Sequence, residues 1–89
     1  MLPESVGYTT IDAAAYIGGE YPVIVYFVSM DAAGGDSIEL QDGENGSSIV
    51  NHTFTGDNAT LVFPFGLRFP NGCYPSGVGT ALTVGYVKA

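Results

Sequence analysis

Cations are the scarcest feature of this sequence: Arg68 and Lys88 stand against nine carboxylates, for a formal charge of −7 over 89 residues. A groove that tracks phosphates needs several cations placed together, and polybasic segments are what draw a protein to an anionic membrane. The sequence therefore predicts neither a nucleic-acid nor a membrane partner, while a cationic partner surface stays open. One cysteine, Cys73, makes no internal disulfide, so the staple of small secreted domains is missing. The longest apolar run, VIVYFV from Val23 to Val28, is far short of a membrane span. The opening MLPESVGY has neither a basic start nor an apolar stretch of signal length. The expectation is a soluble product made in a cytosol. Asn51-His52-Thr53 and Asn58-Ala59-Thr60 match the glycosylation pattern and are read as coincidental in that setting.

Charged residues of both signs are also few, 12% against about 25% in an average soluble domain. What is present instead is apolar, 46% of the chain. A chain this short removes only about 60 to 65% of its extended surface from water on folding. Its apolar content exceeds what one small core absorbs, which predicts burial against another chain.

Charged runs that build exposed helix faces are missing, and glycine numbers thirteen. The helical period has little to work with, so the chain reads as all-β. Tyr21 to Met30 (YPVIVYFVSM) alternates Val23, Val25, Phe27 with Ile24, Tyr26, Val28, a strand apolar on both faces and covered on both sides. Ile38 and Leu40 alternate with Glu39 and Gln41 in a half-exposed strand, and DGENG (Asp42 to Gly46) supplies the turn residues of a hairpin. In the following strand Ile49, Asn51 and Thr53 face away from Val50, His52 and Phe54, before TGDN (Thr55 to Asn58) turns the chain. ATLVFPFGLRF carries Leu61, Phe63 and Phe65 on one face, and Pro64 makes it an edge strand or one that bends at Pro64 and Gly66. TALTVGYVK, alternating Leu82, Val84, Tyr86 with Thr83, Gly85, Val87, belongs inside a sheet.

At least six strands at short intervals predict a small antiparallel β-sandwich or jelly-roll-like barrel over residues 21–89. Residues 1–20 are read as an N-terminal arm or extension, in which IDAAAYIGGE either forms one helical turn, with Asp12 as N-cap and Gly18 as stop, or is simply extended. The core and the seam between copies are assigned together to Tyr21, Val23, Val25, Phe27, Phe63, Phe65 and Phe69.

Chemistry has few places to reside. Cys73 lies in RFPNGCYPSGVGT, where a cysteine nucleophile needs a cation or base beside it; Arg68 and His52 are the only candidates. PNG and PSG are turn tripeptides and cysteine is a residue type often buried, so a structural Cys73 between two turns is expected. Ser48, His52 and Asp57 contain the residue types of a hydrolase triad, with Ser48 and His52 an even number apart, but no nucleophile elbow supports them. Asp31, Asp36, Asp42, Glu44 and Asp57 supply oxygens of the kind calcium takes, without any EF-hand order, and turn chemistry explains each. Gly77 to Gly79 lacks the following helix that a phosphate cradle uses. Tyr8, Tyr16, Tyr21, Tyr26, Tyr74 and Tyr86 offer a sugar platform or a protein interface, the absence of tryptophan favouring the latter. No catalytic, metal or cofactor residue is assigned.

Four segments carry a resemblance: Ile38-Glu39-Leu40-Gln41-Asp42-Gly43, Leu61-Val62-Phe63-Pro64, Phe69-Pro70-Asn71-Gly72-Cys73-Tyr74, and Gly79-Thr80 followed by Val84-Gly85-Tyr86. In this order they resemble small β-rich virion proteins of tailed bacteriophages, over residues 20–87. Cys73 departs from the pattern, since an aliphatic residue is usual there, and residues 1–20 lie outside it. The resemblance implies a capsid decoration (cement) protein on the capsid exterior. It would be a homo-oligomer, a trimer, bound to the major capsid protein, without cofactor or catalytic residues. Two other readings stand beside it: a tail or fibre module that binds a glycan or protein surface, and a small hydrolase using Ser48, His52 and Asp57.

Overall fold

The computed structural model describes residues 7–30, 37–53, 59–77 and 81–89. These form an all-β fold of β1 (Gly7–Ile11), β2 (Val23–Met30), β3 (Ser37–Asp42), β4 (Ser48–Thr53), β5 (Ala59–Phe69), β6 (Cys73–Ser76) and β7 (Leu82–Lys88), with no helix among the described residues. A four-stranded sheet in the order β1-β7-β2-β5 packs against a three-stranded sheet in the order β4-β3-β6. Every registered pair is antiparallel. The sheets remain separate, so the architecture is an open β-sandwich and the closed-barrel alternative falls away.

Alternation builds the core. Val23, Val25, Val28 and Met30 of β2, Leu82 and Val84 of β7 and Phe69 of β5 meet Ile38 and Leu40 of β3 and Cys73 of β6, all at 0% exposure. Full burial of each large aliphatic or aromatic side chain contributes about 1.5–3 kcal/mol. Among the described residues no polar side chain is buried, so these contacts carry no desolvation cost of that kind.

The β2 strand differs from strict alternation in one place. Val25 pairs with Tyr86 and Phe27 with Gly85, leaving Tyr26 as an extra residue on β2. This bulge exchanges the faces: Val28 and Met30 turn inward with Val23 and Val25, and Phe27 turns outward, half-buried. The outer face of β2 is thus only half covered, contrary to the expectation of a strand enclosed on both sides. On β5 the same place is wider, since Phe63 to Gly66 fall between Val62, opposite Phe27, and Leu67, opposite Val25. Gly66 takes φ +76, a conformation costly for any residue with a side chain. The strand lies at the edge of its sheet and bends at Pro64 and Gly66, as the sequence indicates.

Of the expected N-terminal arm or extension over residues 1–20, residues 1–6 lie outside the described residues, and residues 7–20 are part of the sandwich. β1 completes the four-stranded sheet, Tyr8 opposite Gly85 and Ile11 opposite Leu82, and Ile17 is wholly buried in the core. The Ile17 N–H donates to the Cys73 carbonyl at 2.9 Å, tying this segment to β6. No helical turn follows Asp12; Thr9, Thr10 and Ile11 suit a pleated strand, and Gly18 at φ +74 lies against the Tyr86 ring, where a Cβ would meet the ring carbons.

The hairpin across DGENG forms as expected, β3 against β4, with Gly43 at φ 88 and Asn45 at φ 63. TGDN and Phe54 lie outside the described residues. In RFPNGCYPSGVGT, of which Val78 to Thr80 lie outside the described residues, the first expected turn forms at Pro70-Asn71-Gly72 and leads into β6, a short strand at the edge of the three-stranded sheet that takes in Pro75 and Ser76 of the second expected turn. Pro75 is accommodated there because an edge strand spares one side of the ladder.

Candidate functional site

Cys73 begins β6 just after the corner where the chain leaves one sheet for the other. Phe69-Pro70-Asn71-Gly72 makes that corner as a hydrogen-bonded turn, Gly72 N–H donating to the Phe69 carbonyl at 3.0 Å. Proline presets the second position of such a turn. The Asp42 carboxylate accepts the Asn71 backbone N–H at 2.8 Å and its side-chain amide at 3.1 Å, and Gly43 N–H donates to the Gly72 carbonyl at 2.8 Å. The Tyr16 hydroxyl accepts from Glu44 N–H at 2.8 Å, and its ring stands edge-on to Tyr74 with centroids 5.1 Å apart. Tyr74 is held protonated above its ordinary range, first by its hydrogen bond to Glu44.

Within this corner Cys73 is wholly buried, and burial, with a smaller contribution from the Asp42 carboxylate, pushes its thiol up to about 12. A nucleophile needs the opposite, a thiolate favoured near neutral pH. Arg68 does not supply one, because it is exposed on the outer face of the four-stranded sheet opposite Ile24 while Cys73 points into the core. Cys73 is a core residue.

Ser48 and His52 do not converge. Leu40 pairs with Val50 and Gln41 with Ser48, so Ile49 is an extra residue on β4. Side chains directly opposite one another across an antiparallel pair share a face. His52, opposite the buried Ile38, therefore lies on the inner side, whereas Ser48, opposite Gln41, lies on the outer side, where its hydroxyl donates to the Val50 carbonyl at 3.2 Å. The bulge cancels the even spacing. Asp57 lies outside the described residues, as do Asp31 and Asp36.

Of the acidic loop residues that are described, Asp42 serves the corner and Glu44 bonds Tyr74. Among the described residues no three His, Cys, Asp or Glu side chains gather into a group that could hold a metal ion. Gly77 takes φ 77 beside the Ser37 carbonyl, and Gly79 lies outside the described residues.

The seven side chains assigned to core and seam divide. Val23, Val25 and Phe69 are core, and Phe63 packs against it in part. Phe27 turns outward through the bulge, Tyr21 is 59% exposed and Phe65 is 98% exposed, so none of these three belongs to the core. The segment before β2 and the β5 bulge put Tyr21 and Phe65 outside the alternation that the sequence displays.

The two outer faces differ in kind. On the three-stranded sheet Glu39 accepts from the Gln41 and Asn51 amides at 3.5 and 3.3 Å, and the Ser37 and Thr53 hydroxyls lie 2.6 Å apart. The rest of that face is Ser48, Ser76 and Tyr74, and the bulged Ile49 on β4 is 45% exposed, so the face is mainly polar. On the four-stranded sheet Tyr8, Gly85, Phe27 and Val62 form one row across all four strands, Tyr8 and Val62 being 76% and 54% exposed. Beside it run Thr10, Thr83, Ser29 and Thr60, joined in pairs by hydroxyl contacts of 2.8 and 3.1 Å. Among the registered residues of this outer face only Arg68 is charged.

At one end of the same sheet is a pocket of about 180 Å³ lined by Pro22, Val23, Arg68, Phe69, Pro70 and Ala89. Close by, the Lys88 ammonium lies 5.1 Å from the centre of the Tyr21 ring. Sequence reasoning missed both the row and the pocket, since neither has a local signature: the row joins four strands and the pocket three segments. No family model, curated protein or solved structure matches the chain.

Proposed function

We propose that this chain is a structural protein that assembles with itself and coats a larger protein shell, as a capsid decoration protein of a tailed phage does. The observation that carries this reading is the exposed row of Tyr8, Phe27 and Val62 across the four-stranded sheet, against an outer face on the three-stranded sheet that is mainly polar and hydrogen-bonded around Glu39. A small acidic protein leaves such a face exposed at the risk of aggregation, and burial against other subunits removes that risk. The resemblance across residues 20–87 supplies the identity of the shell, and a trimer bound to the major capsid protein is the assembly it favours. Multiple weak contacts on a lattice then add through effective concentration, so no single contact has to be tight.

Catalysis has no part in this reading: Cys73 is protonated and buried, and Ser48 and His52 face opposite ways. The glycan-binding module has less support, because Tyr16 and Tyr74 are engaged with each other and with the β3–β4 turn.

The test is particle association. The account expects the chain to occur in fixed ratio to the shell subunit on purified particles, and stripped particles to lose heat resistance that adding the chain back restores. A chain absent from particles but positive on a glycan array would replace this reading with the binding module.

A further inference from the structure

A phenylalanine that is 98% exposed needs a reason, and Phe65 is not on a loose loop. It stands at the crest of the β5 bulge, between Pro64, whose ring fixes its own φ, and Gly66 at φ +76. Gly66 sits so close to β2 that a Cβ there would press on the Ile24 side chain and the Tyr26 ring. The bulge is seated on the sheet, and it presents one aromatic ring to water from a supported position.

The pocket of about 180 Å³ begins three residues further along the same strand, at Arg68. Its lining is Pro22, Val23, Phe69, Pro70 and Ala89 together with Arg68. An apolar cavity of about 150 Å³ takes up benzene. A phenyl ring fits here by size, and Arg68 is the one residue of the lining with a cationic side chain, the kind that favours an aromatic neighbour.

We propose that Phe65 of one copy seats in the Pro22–Arg68–Pro70 pocket of a second copy of this chain, forming the contact that joins subunits. This rests on the self-assembly half of the proposed function and names its residues. Charge favours a second copy as the occupant. The β5 sequence, ATLVFPFGLRF, has no carboxylate and holds one of the two cations of a chain whose formal charge is −7. Copies that meet along β5 bring no carboxylate of that strand against another, whereas the remaining acidic surface repels at long range. Every copy carries both knob and hole, which is the requirement for self-association. Salt screens the long-range repulsion without weakening the apolar contact, so association tightens as ionic strength rises.

The experiment uses two exposed substitutions made in the full chain, Phe65→Asp, which removes the knob, and Arg68→Glu, which places a carboxylate at the rim of the hole. Phe65→Ser replaces the first should that variant not fold, and circular dichroism with denaturant midpoints confirms folding. Light scattering is expected to show each variant alone at the monomer mass of 9.2 kDa where the wild type is larger. Mixing the two is expected to restore a one-to-one complex, because the first retains a hole and the second a knob. An assembled wild type whose mass Phe65→Asp leaves unchanged would overturn this contact while leaving the coat reading intact. A mixture that stays monomeric would overturn it equally, as would a wild type monomeric throughout; in that last case particle association alone decides the coat reading.

Discussion

The ring of Phe27 occupies the space that a side chain at Gly85 would need. The two residues are directly paired across β2 and β7, and the bulge at Tyr26 is what turns Phe27 to that face. Glycine is required at position 85 by its neighbour, since no positive φ is involved there.

Gly85→Ala is therefore expected to cost about 1–3 kcal/mol through overpacking. Truncating the ring as well should recover most of that loss, so the double variant Phe27→Ala/Gly85→Ala should be more stable than the sum of the single effects predicts. Urea midpoints of the four proteins measure the coupling. Strict additivity would contradict the packing described.

Burial separates two phenylalanines that look alike in sequence. Phe69 is wholly buried, and Phe69→Ala should cost about 3–5 kcal/mol. Phe27 is half-buried, and Phe27→Ala should cost less, about 1–2 kcal/mol, since part of its surface is already in water. Equal losses in denaturant unfolding would refute the assignment of faces on β2.

The distinction between those two residues marks what was legible in the sequence. Ile38 and Leu40, or Leu82 and Val84, sit in strands whose period of two is unbroken, and their burial could be read directly. Phe27 could not, because one bulged residue, Tyr26, reverses every face beyond it, and a bulge has no reliable local signal in an apolar run. Ser48 and His52 illustrate the same effect on β4, where the extra residue Ile49 cancels their even spacing. β1 was missed for a different reason: Gly7-Tyr8-Thr9-Thr10-Ile11 is short and mostly polar, and its place depends on pairing with β7 rather than on its own pattern. Cys73, by contrast, was legible as a structural residue from its turn-rich setting.

Asp42 ties the corner between the sheets through two bonds to Asn71. Asp42→Ala should cost about 1.5–3 kcal/mol, the range for hydrogen bonds to a charged group, even though the side chain lies near the surface. Asn71→Ala should cost less, because the backbone N–H remains to bond the carboxylate. Denaturant midpoints that show no loss for Asp42→Ala would mean that the corner holds without it.

Cys73 predicts a pH dependence. Its folded thiol titrates at about 12, above the ordinary value of 9.0, so the unfolded chain releases this proton first as pH rises. Stability from this group is intact below about pH 9 and falls by about 1.4 kcal/mol per pH unit between there and about pH 12. Subtracting the pH profile of Cys73→Ala from that of the wild type isolates the effect from tyrosine titration. The same burial should keep Cys73 unreactive toward a thiol reagent at pH 8 until denaturant is added, and rapid labelling of the folded chain would contradict it.

Self-assembly is the claim on which the functional account depends most. Its direct test is the solution mass of the purified chain by light scattering over a concentration series down to the micromolar range. The account predicts a stable mass at a fixed multiple of 9.2 kDa. A mass of 9.2 kDa at every concentration would contradict it, leaving the Tyr8-Phe27-Val62 row of the four-stranded sheet without the subunit partner proposed for it.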